Sequence, residues 1–146
     1  MADVTQIVIG MDGSESSRTA LAWAYDEAAH HGAALTVVTS WHRPTTLPMS
    51  PPYGTIPSEG YDDQPKEEAL ATLDALVAAL EPRTPAVDVR TAIEEGSPAK
   101  VLIERSKEAD LLVVGSRGIG GFAGMLLGSV SQHLVAHADC PVVVVR

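Results

Sequence analysis

The chain of 146 residues carries a formal net charge of −9 at pH 7, and 45% of its residues are hydrophobic. Its length suits a single domain, and its acidic balance argues against nucleic acid or an anionic membrane as a partner, because both require basic patches. The longest apolar runs are shorter than the roughly 20 residues that cross a bilayer, and no signal peptide is visible. Since Cys140 is the only cysteine, no intrachain disulfide is possible, and we expect a reducing, cytoplasmic location.

Short apolar runs alternate with amphipathic stretches along the chain. In chain order they predict a strand over residues 6–10, a helix over 14–31, a strand over 35–41, a helix over 65–80, a strand over 87–93, a helix that begins at Pro98, a strand over 111–114, a helix over 129–137 and a strand over 142–145. Ser14 and Ser97 are predicted helix N-caps, and Gly32 and Pro82 are predicted helix stops.

This alternation predicts an α/β fold: a single Rossmann-like domain over residues 1–146, with an open five-stranded parallel sheet and helices on both faces. The expected strand order is 3-2-1-4-5, which reverses between the first and fourth strands. Ligands of such sheets bind outside the carboxyl ends of the strands, at the point of reversal. The two loops that meet there begin at Gly10 and Gly115.

Residues 43–64 interrupt the pattern with five prolines. Because proline lacks an N–H and has a fixed φ, we expect this segment to contain no regular helix or strand. Two interpretations stay open, an irregular surface loop and a lid over the ligand pocket. In the second, Met49, Tyr53 and Tyr61 would stack on a base.

The segment from Gly115 to Ser129, GSRGIGGFAGMLLGS, follows a buried strand and precedes a helix. Glycines let the backbone approach an anion, and a helix N-terminus offers unpaired N–H donors and partial positive charge. Two glycine clusters, one over residues 115–118 and one at Gly128, would then flank one phosphate pocket. The alternative is a flexible loop closed by a helix cap. The spacing fits neither a Walker A loop nor the dinucleotide fingerprint.

Polar side chains of this segment have two candidate roles each. Ser129 and Gln132 have the spacing of a capping box, which predicts Ser129 as the N-cap of the last helix. The Ser129 hydroxyl and the N–H groups of Ser129 and Val130 would also meet phosphates. Arg117 either neutralises phosphate charge, binding two oxygens at once, or is an exposed loop arginine.

Asp12 and a histidine pair are the candidate metal ligands. Asp12 ends the first strand, where it is a turn former, an acceptor for a ribose hydroxyl or a ligand of Mg²⁺. His133 and His137 are spaced i, i+4 on the last helix and are either surface residues or metal ligands. No third ligand for the histidine pair is evident from the sequence.

Three separate motifs resemble the universal stress protein family, in its ATP-binding subclass. The pattern G-x-x-G-x9-G-S resembles the family's nucleotide-binding motif, residues 7–14 (IVIGMDGS) resemble its first strand and turn, and residues 138–145 (ADCPVVVV) resemble its last strand. The resemblance covers the chain except residues 43–64. It implies a stress-response or regulatory protein that binds ATP, or another adenine nucleotide, and hydrolyses it slowly or not at all.

The resemblance also implies which residues contact the nucleotide. Ser40 would offer backbone groups to adenine, and Asp12 would lie in the nucleotide pocket. The predicted set is Gly10, Asp12, Ser40, Gly115, Ser116, Arg117, Gly118, Gly128, Ser129 and Val130.

Other functions stay open at this point. An ATPase or phosphotransferase would use Asp12 with Mg²⁺, and a cyclic AMP binding protein would use the same pocket. No catalytic residues can be assigned, because no Ser/His/Asp set, Cys/His pair or GxSxG elbow is present. A receiver-type signalling domain is disfavoured, since an acidic pair after the first strand and an aspartate after the third are missing.

The last strand predicts a homodimer. Val142–Val145 is apolar on both faces, and the expected strand order puts it at the sheet edge, where no lysine blunts it. Pairing two such edges antiparallel around a two-fold axis would extend the sheet across the dimer. Members of the resembled family often associate in this way.

Overall fold

The computed structural model describes residues 3–43, 46–48, 52, 54–57, 64–118 and 127–146. Within these ranges the strands are β1 (Gln6–Gly10), β2 (Ala34–Trp41), β3 (Thr46–Pro48), β4 (Thr55–Pro57), β5 (Val89–Glu95), β6 (Leu111–Gly115) and β7 (Val142–Val145). The helices are α1 (Glu15–His31), α2 (Gln64–Ala78), α3 (Pro98–Ser106) and α4 (Ser129–His137). No helix in this part of the chain is long and apolar enough to cross a membrane.

The long strands form one parallel sheet in the order β5-β2-β1-β6-β7. In the numbering of the predicted strands this is 3-2-1-4-5, so the predicted fold class and strand order are confirmed. The order reverses between β1 and β6, which pair with each other through residues 7–9 and 111–113. The reversal puts the carboxyl ends of β1 and β6 side by side.

Alternate residues of the central strands build two cores on opposite faces of the sheet. Ile7 and Ile9 of β1 pack with the apolar faces of α1 and α2. Val8, between them, packs with residues of α3 and α4, among them Leu102 and Leu134. Ile7, Ile9 and Leu134 are fully buried. The sheet is therefore covered on both faces, as expected for parallel strands.

Local signals set both ends of α1. The Ser14 hydroxyl accepts a hydrogen bond from the N–H of Ser17 at 3.2 Å, which confirms Ser14 as the N-cap. The helix ends at Gly32, whose φ of 65° is left-handed backbone that glycine adopts without a Cβ clash. Along its buried face lie small side chains such as Ala24 and Ala28, which let the helix pack close to the sheet.

The third long strand lies two residues further along the chain than predicted. We expected residues 87–93, and β5 spans Val89–Glu95. Its carboxyl end is fixed by pairing with β2, and the side chains of Glu94 and Glu95 form ion pairs with Arg105 and Arg43. These partners are distant in sequence, so the local pattern did not reveal that both glutamates belong to the strand.

The expectation that residues 43–64 contain no regular strand was wrong. β3 and β4 pair antiparallel, with Thr46 opposite Pro57 and Pro48 opposite Thr55. Opposite residues of antiparallel strands alternate between hydrogen-bonded and non-hydrogen-bonded pairs. The pairs that contain Pro48 and Pro57 are two positions apart, so both can be non-hydrogen-bonded pairs. A ribbon of this register therefore needs no N–H from either proline. Met49, Tyr53 and Tyr61 lie outside the described residues, so base stacking by them stays a prediction.

A carboxylate joins the amino end of β1 to the amino end of β6. One Asp110 oxygen, Oδ2, accepts hydrogen bonds from the N–H and hydroxyl of Thr5 at 2.9 and 2.8 Å, and from the N–H of Gln6 at 2.9 Å. The bonds from Thr5 and Gln6 lower the pKa of Asp110 from its ordinary value of 3.8. The ionised carboxylate therefore stabilises the folded state.

We expect Asp110→Asn to make the stability of the domain less dependent on acid pH. A carboxylate with a lowered folded-state pKa stabilises the fold above its unfolded value of 3.8, and that stabilisation is lost as the pH falls through the lower folded value. The variant should be less stable than wild type at neutral pH, and the two should converge in acid, when urea unfolding is followed against pH. Asp88→Asn, which alters an exposed ion pair with Arg90, is the control and should change the profile little.

Candidate functional site

A cleft of about 660 Å³ opens at the carboxyl ends of β1, β2 and β6, where the strand order reverses. Ser116 is the one predicted site residue that does not line it, because Ser116 is buried behind β6 and donates its N–H to Val145. The nine predicted residues that line the cleft are Gly10, Asp12, Ser40, Gly115, Arg117, Gly118, Gly128, Ser129 and Val130.

The glycines that end β1 and β6 make room for helices. A Cβ on Gly115 would lie 2.5 Å from the Ser16 hydroxyl oxygen and 2.7 Å from the Ser16 carbonyl carbon. A Cβ on Gly10 would lie 2.6 Å from a terminal carbon of Leu102. Real Cβ contacts are not this short, so these glycines let α1 and α3 approach the strand ends. Their absent side chains serve packing, and the packing in turn shapes the cleft.

The two predicted glycine clusters are in contact. The Gly128 N–H donates to the Ser116 carbonyl at 2.7 Å. A Cβ on Gly128 would lie 3.3 Å from the Gly118 nitrogen and 3.4 Å from the Arg117 Cα. The two backbones approach closely at Gly128, where an added Cβ would make contacts tighter than most that side chains make. Its φ of −67° is open to any residue. Residues 119–126, which join the clusters, lie outside the described residues.

The N-cap of α4 is Gly128, so the prediction of Ser129 was wrong by one residue. The contact of Gly128 with the first glycine cluster fixes where the helix begins, and Gln132 donates its side-chain amide to the Leu127 carbonyl at 2.9 Å. Ser129 is instead the first residue of α4 and is exposed at the cleft. Helix geometry leaves the N–H groups of Ser129 and Val130 without acceptors inside the helix.

Serine side chains that the sequence did not single out hold the glycine turn in place. Ser131 is buried and donates its hydroxyl to the Gly115 carbonyl at 2.7 Å, which ties the first turn of α4 to the end of β6. The Ser16 hydroxyl accepts the Arg117 N–H at 3.2 Å, which ties the same turn to α1. From the sequence we assigned caps to Ser14 and Ser129. Ser16 and Ser131 had no predicted role, because their bonds to the glycine turn join residues that are distant in the chain.

Asp12 lies against the first glycine cluster. Its Oδ1 accepts the N–H of Ser14 at 2.9 Å, the bond expected of a turn former. Its Oδ2 would be 3.0 Å from a Cβ on Gly118, so the carboxylate borders the glycine backbone. Both roles given to Asp12, in the turn and in the cleft, are compatible with this geometry. Within the described residues no three His, Cys, Asp or Glu side chains group as a metal site, so Asp12 would hold Mg²⁺ only together with ligand oxygens and water.

Both polar and apolar side chains line the cleft. Among its described lining residues the ionisable side chains are Asp12, Arg117 and Glu68, the last contributed by α2. α2 and α3, on opposite faces of the sheet, add apolar lining, with Leu73 and Leu102 among their side chains. The sequence did not reveal that α2 forms a wall, because the position of a crossover helix depends on tertiary packing.

The carboxyl end of β2 also lines the cleft. Ser40 is half-buried there and lines the cleft, next to Thr39. The Thr39 hydroxyl donates to the Met11 carbonyl at 3.0 Å, and the Met11 N–H donates to the Val38 carbonyl at 2.8 Å. These bonds fix the exits of β1 and β2 relative to each other, so the backbone near Ser40 is held in a defined position.

Comparison with known proteins assigns the family. The model of the universal stress protein family matches residues 4–146. The chain belongs to the universal stress protein family. A universal stress protein of Mycolicibacterium smegmatis is 40% identical over 140 residues, which are 96% of this chain and 45% of that protein. The chain thus spans about half the length of the curated relatives it matches.

Solved structures of this family share the fold. UspA from Lactobacillus plantarum has a TM-score of 0.74 at 23% identity, with 100% of both chains covered. A universal stress protein solved in complex with cAMP has a TM-score of 0.68 at 28% identity, with 99% of this chain and 98% of that chain covered. The predicted family and fold are therefore both confirmed.

Proposed function

We propose that the chain binds an adenine nucleotide, with ATP as the first candidate, and acts in stress response or regulation without efficient turnover. The observation that carries this proposal is the contact between the two glycine clusters at the N-terminus of α4, in a cleft that α2 and α3 also line with apolar side chains. The 28% identical relative in complex with cAMP supports an adenine ligand. Binding would shift stability or partner choice.

The position of the glycine clusters suggests the orientation of the nucleotide. Phosphates belong at the glycine clusters, where Gly118 leaves space and the first turn of α4 presents free N–H donors. Arg117, the basic residue among the described lining of the cleft, lies in the same turn. Asp12 is then in reach of the ribose or of a phosphate-bound Mg²⁺. Adenine belongs between the apolar walls, with the backbone near Ser40 as its hydrogen-bonding partner.

The charge of the cleft distinguishes ATP from cyclic AMP as the ligand. Asp12 and Glu68 together outweigh Arg117 among the described lining residues, so a triphosphate gains from an accompanying Mg²⁺, whereas a cyclic monophosphate needs none. The alternative of cyclic AMP is tested by titrating the protein with ATP and cyclic AMP, each with and without Mg²⁺. If the protein binds cyclic AMP and not ATP, cyclic AMP is the ligand in place of ATP.

We expect Asp12→Asn to abolish the effect of Mg²⁺ on ATP affinity while leaving the fold intact. The asparagine carbonyl still accepts the Ser14 N–H, but the negative charge is lost. Calorimetry of both proteins with ATP, in Mg²⁺ and in a chelator, measures the effect. An unchanged Mg²⁺ dependence in the variant would remove Asp12 as the metal ligand.

The same variant tests the alternative of an ATPase or phosphotransferase. If Asp12 and Mg²⁺ catalyse hydrolysis, wild type should release phosphate over many turnovers per minute and Asp12→Asn should not. We expect slow release from both proteins. Rapid release that depends on Asp12 would favour the enzyme over the binding protein.

We also propose a homodimer through β7. This strand pairs with β6 alone in the described sheet. The N–H groups of Leu112 and Ser116 donate to the carbonyls of Pro141 and Val145, both at 2.9 Å. In a parallel ladder, the backbone groups of Val142 and Val144 then point away from β6, toward a second chain.

We expect Val144→Pro to convert the dimer to monomers, because it removes one outward N–H that the sheet itself does not use. Val144→Thr keeps this N–H and nearly the same side-chain volume, so it should remain dimeric. These two variants are a better test than Val144→Lys. The Val144 side chain packs against the core shared with α3 and α4, so a lysine there would also disturb the fold. Sedimentation at micromolar concentration makes the measurement, and a monomeric wild type would contradict the proposal.

A further inference from the structure

The outer face of α4 carries a histidine pair that the nucleotide cleft does not use. His133 and His137 are one helical turn apart and both are exposed. Their ring centroids are 4.6 Å apart, with the ring planes inclined by 49°. The cleft is lined by the other end of this helix, through Ser129 and Val130.

The separation of the two rings is compatible with two imidazoles that share one ion. With metal–nitrogen distances of about 2.0–2.1 Å and angles of about 90–110° at the metal, two ligated rings have centroids about 4.5–5.2 Å apart. Because residues i and i+4 lie on one face of a helix, the two side chains can turn toward a common point without a change in the helix backbone. The helix backbone already sets the spacing, so little conformational freedom remains to be lost.

The surroundings favour a weakly held, water-completed ion. The pair occupies the last turns of α4, where the partial negative charge of the helix end attracts cations. Since no three candidate ligands group together in the described part of the chain, water would fill the remaining coordination positions. Imidazole ligands suit Cu²⁺, Ni²⁺ and Zn²⁺ and not Mg²⁺, with Cu²⁺ the tightest in the usual order of affinities.

We propose that His133 and His137 chelate one divalent transition-metal ion, Cu²⁺ above Ni²⁺ and Zn²⁺, on the surface of α4. The site is separate from the proposed nucleotide cleft and independent of it. A bound ion links the two side chains across one turn of the helix. It stabilises the folded chain, because the unfolded chain does not hold the two rings at this distance.

Titration of the untagged protein with CuCl₂ tests the proposal, with calorimetry for affinity and electron paramagnetic resonance for the ligands. Wild type should bind one ion per chain and show two nitrogen ligands, and its melting temperature should rise with Cu²⁺ but not with Mg²⁺. His133→Ala and His137→Ala should each weaken binding by about tenfold or more, because each removes one arm of a chelate.

The chain offers matched controls. His30 and His31 are adjacent on α1, so their side chains leave the helix in different directions, and His31 already contacts Glu27 at 3.3 Å. Burial raises the pKa of the half-buried Cys140 thiol, which makes it a poor ligand. His31→Ala and Cys140→Ser should therefore bind Cu²⁺ as wild type does.

Two results would overturn the site. Unchanged Cu²⁺ affinity in both His133→Ala and His137→Ala would show that the ion binds elsewhere. Equal loss of affinity in His31→Ala would show scattered histidine binding without a chelate. Measuring the melting temperature of each variant without metal separates a loss of ligands from a loss of folding.

Discussion

Gly115→Ala should destabilise the domain by about 3 kcal/mol, at the upper end of the cost of overpacking a core. The added Cβ would lie within 2.9 Å of the hydroxyl oxygen, carbonyl carbon and carbonyl oxygen of Ser16. Two of these atoms are backbone of the first turn of α1 and cannot rotate away. The helix must move off the sheet, and the bond between the Ser16 hydroxyl and the Arg117 N–H would be lost with it. Urea unfolding measures the change.

Gly10→Ala is the matched control for this prediction. It adds the same methyl group at the end of the neighbouring strand, and its nearest contact is the terminal carbon of Leu102 at 2.6 Å. A leucine side chain can change rotamer, so we expect a smaller loss of about 1 kcal/mol. Equal stabilities of Gly115→Ala and wild type would show that α1 does not depend on the close approach at Gly115.

Gly118→Leu should lower nucleotide affinity by about a hundredfold, or about 2.8 kcal/mol, while leaving the fold largely intact. Gly118 is exposed at the cleft, and its Cβ position lies 3.0 Å from Asp12 Oδ2. A leucine there would fill the space proposed for phosphates. Its φ is not left-handed, so the reason for glycine is space. Calorimetry with ATP makes the measurement.

A graded series isolates this effect from damage to the fold. Gly118→Ala should lose less affinity than Gly118→Leu, because the smaller group blocks less of the cleft. Gly128→Leu is a poorer test, since Gly128 is buried between Gly118 and Arg117 and its replacement would part the two glycine clusters. Wild-type affinity in Gly118→Leu would exclude phosphate from this end of the cleft.

The strand order was predictable because it rests on general rules. Apolar runs such as those of β6 and β7 mark buried parallel strands, and right-handed crossovers then leave few possible topologies. The position of the cleft followed from the reversal of that order between β1 and β6. None of these steps required knowledge of a specific side-chain contact.

What the sequence failed to predict depends on contacts between distant residues. The sequence around Ser129 permits a cap at either Gly128 or Ser129, and the bond from Gly128 to Ser116 decides for the first. The end of β5 depends on β2 and on the ion pair between Glu94 and Arg105. In each case the local pattern allowed two structures, and tertiary packing selected one.

The described glycines of the predicted site line the cleft, but they differ in purpose. Gly10 and Gly115 admit helices to the strand ends, Gly128 admits the backbone of the other cluster, and Gly118 borders the open cleft. The sequence shows only that these positions carry no side chain. The purpose of each absence depends on which atoms stand where the Cβ would be.

Calorimetric titration of the untagged protein with ATP, AMP, cyclic AMP and GTP, in Mg²⁺, tests the central claim most directly. We expect at least one adenine nucleotide to bind once per chain, and to bind more tightly than GTP by about 1–2 kcal/mol, since the backbone near Ser40 would meet a guanine edge with mispaired donors and acceptors. Affinity should fall by about a hundredfold in Gly118→Leu. Absence of binding by all three adenine nucleotides, or equal affinity for ATP and GTP, would contradict an adenine-nucleotide site in this cleft.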